Sequence, residues 1–117
     1  MTKQQLDKLA CPCCGEQVDK ELIKKLEELE EKVGKLAFSS GRRCAKYTAS
    51  KGWSLTSPHV KGLAVDITEH SARRKFKILF EAAKLGFLGH GVYNGHVHVD
   101  IDPRWHGEPV IWPGVSK

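Results

Sequence analysis

Apolar residues recur at helical spacing in two segments of the chain. In the first, from Asp19 to Val33, leucine, isoleucine and valine form one face, lysine and glutamate fill the other, and Gly34 follows. In the second, from Ser71 to Leu85, the apolar residues that share a face are Ala72, Phe76, Leu79, Phe80 and Ala83. Because apolar positions three and four apart line one side of a helix, we predict two amphipathic helices that pack through these faces.

Strand patterns lie between the two helices and after the second. Residues 36–39 and 63–67 are short apolar runs that suit buried strands. The β-branched and aromatic runs near the end of the chain are broken at Asn94-Gly95, a hairpin signal, and at Asp102-Pro103. Residues 44–59 show no periodicity, and we expect mostly loop with at most one helical turn. This order predicts an α+β domain with helices packed against one antiparallel sheet.

Length and charge narrow the classes of protein that fit. The chain has 117 residues, and we expect residues 1–117 to form a single domain. No apolar run approaches the roughly 18 residues that a membrane span needs, and the first residues lack the apolar core of a secretory signal. We therefore expect the protein to be cytoplasmic when it is synthesised. A formal net charge of +5 favours anionic partners such as nucleic acid, teichoic acid or peptidoglycan.

The chain has four cysteines, Cys11, Cys13, Cys14 and Cys44. A chain without a secretory signal keeps its thiols reduced, so we expect no obligatory disulfide. Cys11 and Cys14 have the C-x-x-C spacing of half a zinc knuckle, and only Cys13 or Cys44 would add the thiolates that a closed structural site needs. Free thiols are the favoured interpretation, and a structural zinc site is the alternative.

Histidine and aspartate alternate with apolar residues near the end of the chain. If residues 96–102 form a strand, His96, His98, Asp100 and Asp102 lie on one face, with neighbours about 6 to 7 Å apart. The intervening valines and isoleucine then point into the core. The pattern suits a metal-binding face, and its alternative is the solvent-facing side of an edge strand with no such role.

A second pair of potential ligands lies upstream. His59 and Asp66 are too far apart in sequence for one helix face or one straight strand to bring both to one ion, and Gly62 supplies the turn needed between them. Two imidazoles and a carboxylate from separate segments make the ligand set of a catalytic zinc site, whose fourth position is open for water. Spacing alone leaves His96 as eligible as His98 for the second imidazole.

At these positions the sequence resembles the zinc D-Ala-D-Ala carboxypeptidase and L-Ala-D-Glu endolysin peptidase family, whose fold is shared with the hedgehog signalling domain. The family motif S-x-H-x-x-G-x-A-x-D is matched by residues 57–66, and the downstream H-x-H by residues 96–98. Residues 40–44 resemble the family's S-G-x-R segment. The resemblance covers roughly residues 10–112 and is greatest to the short members found in phages and prophages.

The resemblance implies a hedgehog/DD-peptidase-like fold and a metal site. His59, Asp66 and His98 correspond to the ligands of Zn²⁺, which activates water to hydrolyse an amide bond in a peptidoglycan stem peptide. His96 corresponds to a residue that lies beside the metal and contacts the substrate or the developing oxyanion.

Further residues correspond to groups that bind the substrate. Arg43 and Ser57 resemble the side chains that bind it and polarise the scissile carbonyl. Arg42 would replace Arg43 if the register of the preceding strand differs by one residue.

The chain departs from the family pattern at the general base. Relatives carry Glu or His three to six residues before the last zinc-binding histidine, where this chain has residues 92–95, none of which is a good base. Asp100 is the nearest carboxylate on the predicted ligand face, and we predict it to be the base, with His96 and His90 as alternatives. The same departure is consistent with a site that binds zinc without turnover.

The expected partner is therefore a peptidoglycan peptide. We expect a monomer that enters no membrane, binds no nucleic acid and acts on the cell wall after its release, in phage lysis or wall remodelling. Two alternatives are a non-catalytic, zinc-containing module that binds cell walls and a metal-dependent nucleic-acid-binding protein, which the net charge of +5 favours. Among the aromatic residues, Trp112 is predicted in the core and Trp53 in a substrate groove.

Overall fold

A computed structural model of the chain describes residues 1–114. The helices are α1 Lys3–Leu9, α2 Lys20–Val33, α3 Ala45–Ser50 and α4 Ala72–Lys84. The strands are β1 Ala37–Ser40, β2 Ala64–Thr68, β3 Gly89–Val92, β4 His96–Asp100 and β5 Val110–Pro113. One turn of 3-10 helix, Pro103–Trp105, lies between β4 and β5. The α+β class predicted from the sequence is confirmed.

The two long helices lie where the apolar periodicity predicts them. The side chain of Asp19 accepts a hydrogen bond from the N–H of Glu21 at the start of α2, and Ser71 accepts one from Arg74 at the start of α4. Such caps satisfy N–H groups that have no partner within the helix. None of the described helices combines the length and the apolar character needed to cross a membrane.

Helix α1 was not predicted, and for the segment that contains α3 the sequence indicated no more than one helical turn. The seven residues of α1 contain too few apolar positions for a periodic signal, although Thr2 and Gln5 form a capping box that marks its start. Helix α3 lies in the segment expected to be mostly loop, and Cys44 caps it through sulfur, which is not a usual capping group. Both helices are short enough that contacts with the rest of the fold decide their formation.

The five strands form one sheet in the order β1-β2-β4-β3-β5. Adjacent strands are antiparallel except for β3 and β5, which are parallel. The expectation of a purely antiparallel sheet was wrong at this edge. Because β2 and β3 already flank β4, the strand that follows β4 pairs with the open edge of β3, and by running opposite to β4 it runs parallel to β3.

One face of the sheet carries the core and the other carries polar side chains. Val65, Ile67, Val97 and Val99 are fully buried in the same apolar cluster as the leucines of α2. Since side chains alternate along a strand, the residues between these apolar positions point to the opposite face. The hairpin predicted at Asn94-Gly95 joins β3 to β4.

Helix α4 packs through a different face from the one predicted. Phe76 and Phe80 are 68% and 52% exposed, stacked on each other with ring centroids 5.8 Å apart, whereas Ile78, Leu79 and Ala82 are buried. Phe76 lies two residues before Ile78, and Phe80 two after it, so each is about 160° away around the helix. Both faces are apolar, and periodicity alone did not show which of them meets the sheet.

Candidate metal centre

Three side chains from separate segments converge on the polar face of the sheet. His59 lies in the turn that precedes β2, Asp66 lies in β2, and His98 lies in β4. Asp66 and His98 are direct partners in the β2–β4 pairing, which puts their side chains next to each other on one face. Gly62, with a φ of 74°, ends the turn that brings His59 back to them. The three residues form a group whose ligand atoms all lie within 4.8 Å of one another.

The spacing of these atoms suits a zinc ion. The Oδ1 atom of Asp66 is 3.4 Å from Nε2 of His59 and 3.4 Å from Nδ1 of His98. Nitrogen or oxygen atoms bound at about 2.0–2.1 Å to one tetrahedral ion are separated by about 3.3–3.4 Å. Two nitrogens and one carboxylate oxygen are also a donor set that zinc commonly accepts, so the residues fit the metal in both geometry and chemistry.

The other nitrogen of each imidazole contacts a fixed acceptor. Nδ1 of His59 is 2.8 Å from the carbonyl oxygen of Gly41, and Nε2 of His98 is 2.6 Å from Oδ2 of Asp100. Ring N–H groups that donate to a carbonyl or a carboxylate leave the opposite nitrogen free as a metal ligand and fix the orientation of the ring. Both histidines are therefore held with a lone pair facing Asp66.

The charges of the site follow from burial and from these contacts. Burial raises the pKa of Asp66, but the contacts with His59 and His98 outweigh it and hold that pKa well below its ordinary value. Burial lowers the pKa of His98, but Asp100 and Asp66 outweigh it and raise that pKa above its usual range. Nη2 of Arg43 lies 3.4 Å from Oδ2 of Asp66. The carboxylate of Asp66 is therefore ionised throughout the neutral pH range.

Asp100 is fully buried and all its contacts hold it in place. Its Oδ2 contacts His98, while its Oδ1 accepts from the N–H groups of Gly89 and Asp102 and from the indole of Trp105, at 3.0–3.2 Å. A β-carbon at Gly89 would overlap the carboxylate. Because Asp100 lies on the side of the His98 ring away from Asp66, these contacts argue against the predicted role as general base and favour orienting His98.

The two alternative bases lie on opposite faces of the sheet. His96 lines the cleft beside His98 and stacks on Tyr93, with ring centroids 4.4 Å apart. His90 pairs with Val99 and so lies on the core face, where its Nδ1 is 3.0 Å from the carbonyl oxygen of Val110. Within residues 1–114, Nε2 of His90 is buried and has no partner. Only His96 of these two is near the converging ligands.

An open cleft of about 480 Å³ lies over the converging ligands. Arg43, Ser57, His96 and Asp100 are part of its wall, whereas the alternatives His90 and Arg42 are not. The hydroxyl of Ser57 also accepts a hydrogen bond from the N–H of His59. The wall also contains Arg104 and the aromatic residues Tyr93, Trp105 and Trp112.

Trp112 lines the cleft, whereas Arg42 does not. Trp112 is not a core residue, because its ring lies 5.2 Å from that of His98 at the cleft. Arg42, the alternative to Arg43, contacts Glu16 at 2.9 Å, and it is Arg43 that faces the cleft. Trp53 is 46% exposed, and the Arg43 guanidinium lies 4.7 Å from the centre of its ring.

Several contributors to the site were not identified from the sequence. Arg104 and Trp105 follow the His-Asp strand in the 3-10 turn, and no motif marked them. The Gly41 carbonyl is a main-chain group, which no residue type reveals. The buried contacts of Asp100 likewise depend on chain segments far apart in sequence.

The cysteines form a second group of potential ligands. The sulfur atoms of Cys11, Cys14 and Cys44 all lie within 4.8 Å of one another, and all four cysteines are free thiols. Burial raises the pKa of Cys11, but N–H groups of Cys44, Cys14 and Cys13 outweigh it and lower that pKa to about 6. That no disulfide is required remains a prediction.

Comparison with known families matches residues 3–100 to Peptidase M15. The chain belongs to the Peptidase M15 family. M15 proteins are zinc-dependent peptidases, which confirms the family resemblance, the peptide substrate and the metal expected from the sequence. No curated protein matches the chain. The match ends at the last residue of β4, so the parts of the cleft formed by Arg104, Trp105 and Trp112 lie beyond it.

Proposed function

We propose that this M15 peptidase hydrolyses an amide bond in the stem peptides of peptidoglycan, with zinc bound by His59, Asp66 and His98. The observation that carries the proposal is the 3.4 Å spacing of Asp66 Oδ1 from one nitrogen of each histidine at the floor of an open cleft. A zinc ion bound there supplies Lewis-acid activation of water and of the scissile carbonyl.

Arg43 binds the substrate in this proposal. Its guanidinium lies between Asp66 and the ring of Trp53, and its Nε is buried without a partner among the described residues. A buried N–H group without a partner is costly, and a substrate carboxylate or carbonyl would satisfy it. Burial lowers the pKa of Arg43, but arginine keeps its charge at neutral pH because its ordinary pKa is so high. Ser57 supplies a hydroxyl on the same wall.

His96 is the side chain that moves the proton. Burial lowers its pKa, which favours the neutral imidazole that a base requires. It lies on the same face of β4 as His98, whereas Asp100 is held behind the His98 ring. In this proposal His96 accepts a proton from water and donates it to the leaving amine, and Asp100 positions His98.

The choice of peptidoglycan rests on the family resemblance and on charge. The cleavage is of the D-Ala-D-Ala carboxypeptidase or the L-Ala-D-Glu endopeptidase type. The formal charge of +5 favours approach to an anionic wall. In this proposal residues 1–117 act as one domain of a monomer, which is cytoplasmic at synthesis and reaches the wall after release, as phage and prophage lysis enzymes do.

The test is mass spectrometry of the products formed from purified muropeptides by zinc-loaded protein. His98→Ala and His96→Ala are a matched pair, since the two residues are neighbours on one strand face. We expect His98→Ala to lose one zinc equivalent relative to the wild type together with all cleavage. His96→Ala keeps its zinc and loses about 10²–10⁴-fold in rate. Stoichiometric zinc in the wild type without cleavage of any muropeptide would instead favour the non-catalytic wall-binding module.

A further inference from the structure

Four cysteines come together outside the wall of the cleft, and the proposed reaction does not use them. Cys11, Cys13 and Cys14 lie in the turn after α1, and Cys44 caps α3. The Cys13 thiol interacts with that of Cys44, and the Cys14 thiol with those of Cys11 and Cys44. Two chain segments about 30 residues apart in sequence therefore bring all four sulfur atoms into one cluster.

The turn that carries the first three cysteines is closed by its own backbone. The N–H of Gly15 donates to the carbonyl of Cys11 at 2.9 Å, and Gly15 has a φ of 78° that favours glycine. The N–H of Cys11 donates to the carbonyl of Glu16 at 2.8 Å. This closure turns Cys11 and Cys14 to the same side, as the C-x-x-C spacing requires for binding one ion.

Main-chain N–H groups point at the sulfur atoms. The N–H of Cys44 lies 3.3 Å from Sγ of Cys11, and the N–H of Tyr47 lies 3.4 Å from Sγ of Cys44. Donors of this kind stabilise the thiolate, which is the form of cysteine that binds metal. Cys11 is 3% exposed, so its sulfur is shielded from solvent while the cluster stays open at Cys13 and Cys14.

The separations suit zinc. Sulfur atoms bound at about 2.3 Å to one tetrahedral ion are about 3.8 Å apart. The sulfur atoms of Cys11, Cys14 and Cys44 lie within 4.8 Å of one another, so a shift of about 1 Å or less brings them to that geometry. Soft thiolates select zinc over magnesium or calcium. A closed four-thiolate set is the usual composition of a structural site.

We propose that the protein binds a second zinc ion, structural rather than catalytic, through Cys11, Cys14 and Cys44, with Cys13 as the fourth ligand. The metal joins the turn after α1 to the start of α3. A disulfide between any two of these residues would use two thiols and leave the other two unbound, whereas one zinc ion uses all four.

The proposed ion fixes the segment that serves the cleft. Arg43 immediately precedes Cys44, and its N–H donates to the carbonyl of His59 at 3.1 Å. Gly41, three residues before Cys44, supplies the carbonyl that orients His59. The N–H of Arg42 donates to the carbonyl of Leu9 at 2.7 Å, so α1 and this segment are already in contact. The second zinc ion thus holds this segment in place and so positions Arg43 and the Gly41 carbonyl.

The experiment counts metal without relying on activity. In the His59→Ala/His98→Ala protein, prepared with reductant and dialysed against zinc, we expect one zinc per chain by mass spectrometry of the metal. Adding Cys14→Ser reduces this to none. Adding Glu16→Gln, a change of an exposed side chain beside the cluster, leaves it at one. Cobalt in place of zinc gives the intense thiolate-to-metal charge-transfer absorption only when Cys14 is present.

A measurement on the unaltered protein tests the proposal even if a variant does not fold. We expect zinc to slow alkylation of the four thiols at least tenfold, and a chelator to restore the rate. Equal alkylation rates with and without zinc would overturn the proposal, as would zinc content that is unchanged by Cys14→Ser. The zinc count is made in a background that lacks both histidines, and alkylation reports on the thiols alone, so both outcomes are independent of the proposed peptidase reaction.

Discussion

His98 uses both of its ring nitrogens, and the contact with Asp100 decides which one is available to metal. The 2.6 Å contact holds Nε2 to a carboxylate and leaves Nδ1 facing Asp66. Partners of this kind typically contribute 10–100-fold in metal affinity or activity. We expect Asp100→Asn to weaken zinc binding by that factor, measured by competition with a chromophoric chelator. Asp7→Asn, at an exposed position, is the control, and equal affinities in both variants would contradict the orienting role.

Arg43 and Arg42 are adjacent in sequence but have different partners. Arg43 contacts Asp66 and faces the cleft, and Arg42 contacts Glu16. A hydrogen bond to a charged group is worth about 1.5–3 kcal/mol. We expect Arg43→Lys to lower kcat/KM for a muropeptide by roughly 10–150-fold. Arg42→Lys is expected to stay within about threefold of the wild type, and the reverse ranking would show that Arg42, not Arg43, binds the substrate.

Helix α4 carries an apolar face toward the core and a second one toward solvent. Ile78 is fully buried, whereas Phe76 is 68% exposed. Ile78→Ala creates a cavity and is expected to lower the free energy of unfolding by about 2–5 kcal/mol. Phe76→Ala loses only its stacking on Phe80, at most about 1.5 kcal/mol. Urea denaturation of the two variants measures both values, and equal losses would mean that Phe76 packs inside the protein.

The start of α4 depends on an ionised side chain. The N–H group of Ser71 donates to Glu69 and lowers its pKa, as do the N–H of His70 and Arg74. A carboxyl with a lower pKa in the folded state stabilises the fold above its unfolded pKa, and this contribution is lost as the pH falls through the folded value. We expect Glu69→Gln to lower the melting temperature at neutral pH and to lower it less in acid, where the pH has fallen through the lowered pKa of Glu69. A loss that is equal at both pH values would exclude an electrostatic origin.

For the whole molecule, bound metal links segments that are distant in sequence. His59, Asp66 and His98 come from a turn and two strands, so an ion held by all three binds only the folded chain. Zinc at 100 times its dissociation constant adds about 2.7 kcal/mol. For a domain of this size that raises the melting temperature by roughly 10 °C. Scanning calorimetry with zinc and with a chelator measures the shift, which should be absent from the His98→Ala/Cys14→Ser protein.

The family, the α+β class, the two long helices, the β3–β4 hairpin and the main residues of the cleft were all predictable from the sequence. Short stretches of sequence determine these features. Periodicity depends on residues a few positions apart, and the motifs around His59 and His98 have fixed spacings. Helix α1 was missed and α3 was expected only as one helical turn in a loop, since neither is long enough to show a period.

Tertiary structure alone decided the positions of similar side chains that the sequence left equivalent. It put Asp100 behind His98 and His90 on the core face, leaving His96 at the cleft. It turned Ile78 rather than Phe76 toward the sheet, paired β5 with β3, and brought Cys44 to the cysteines after α1. In each instance the outcome depends on which distant segment occupies the neighbouring space, and a linear pattern contains no such information.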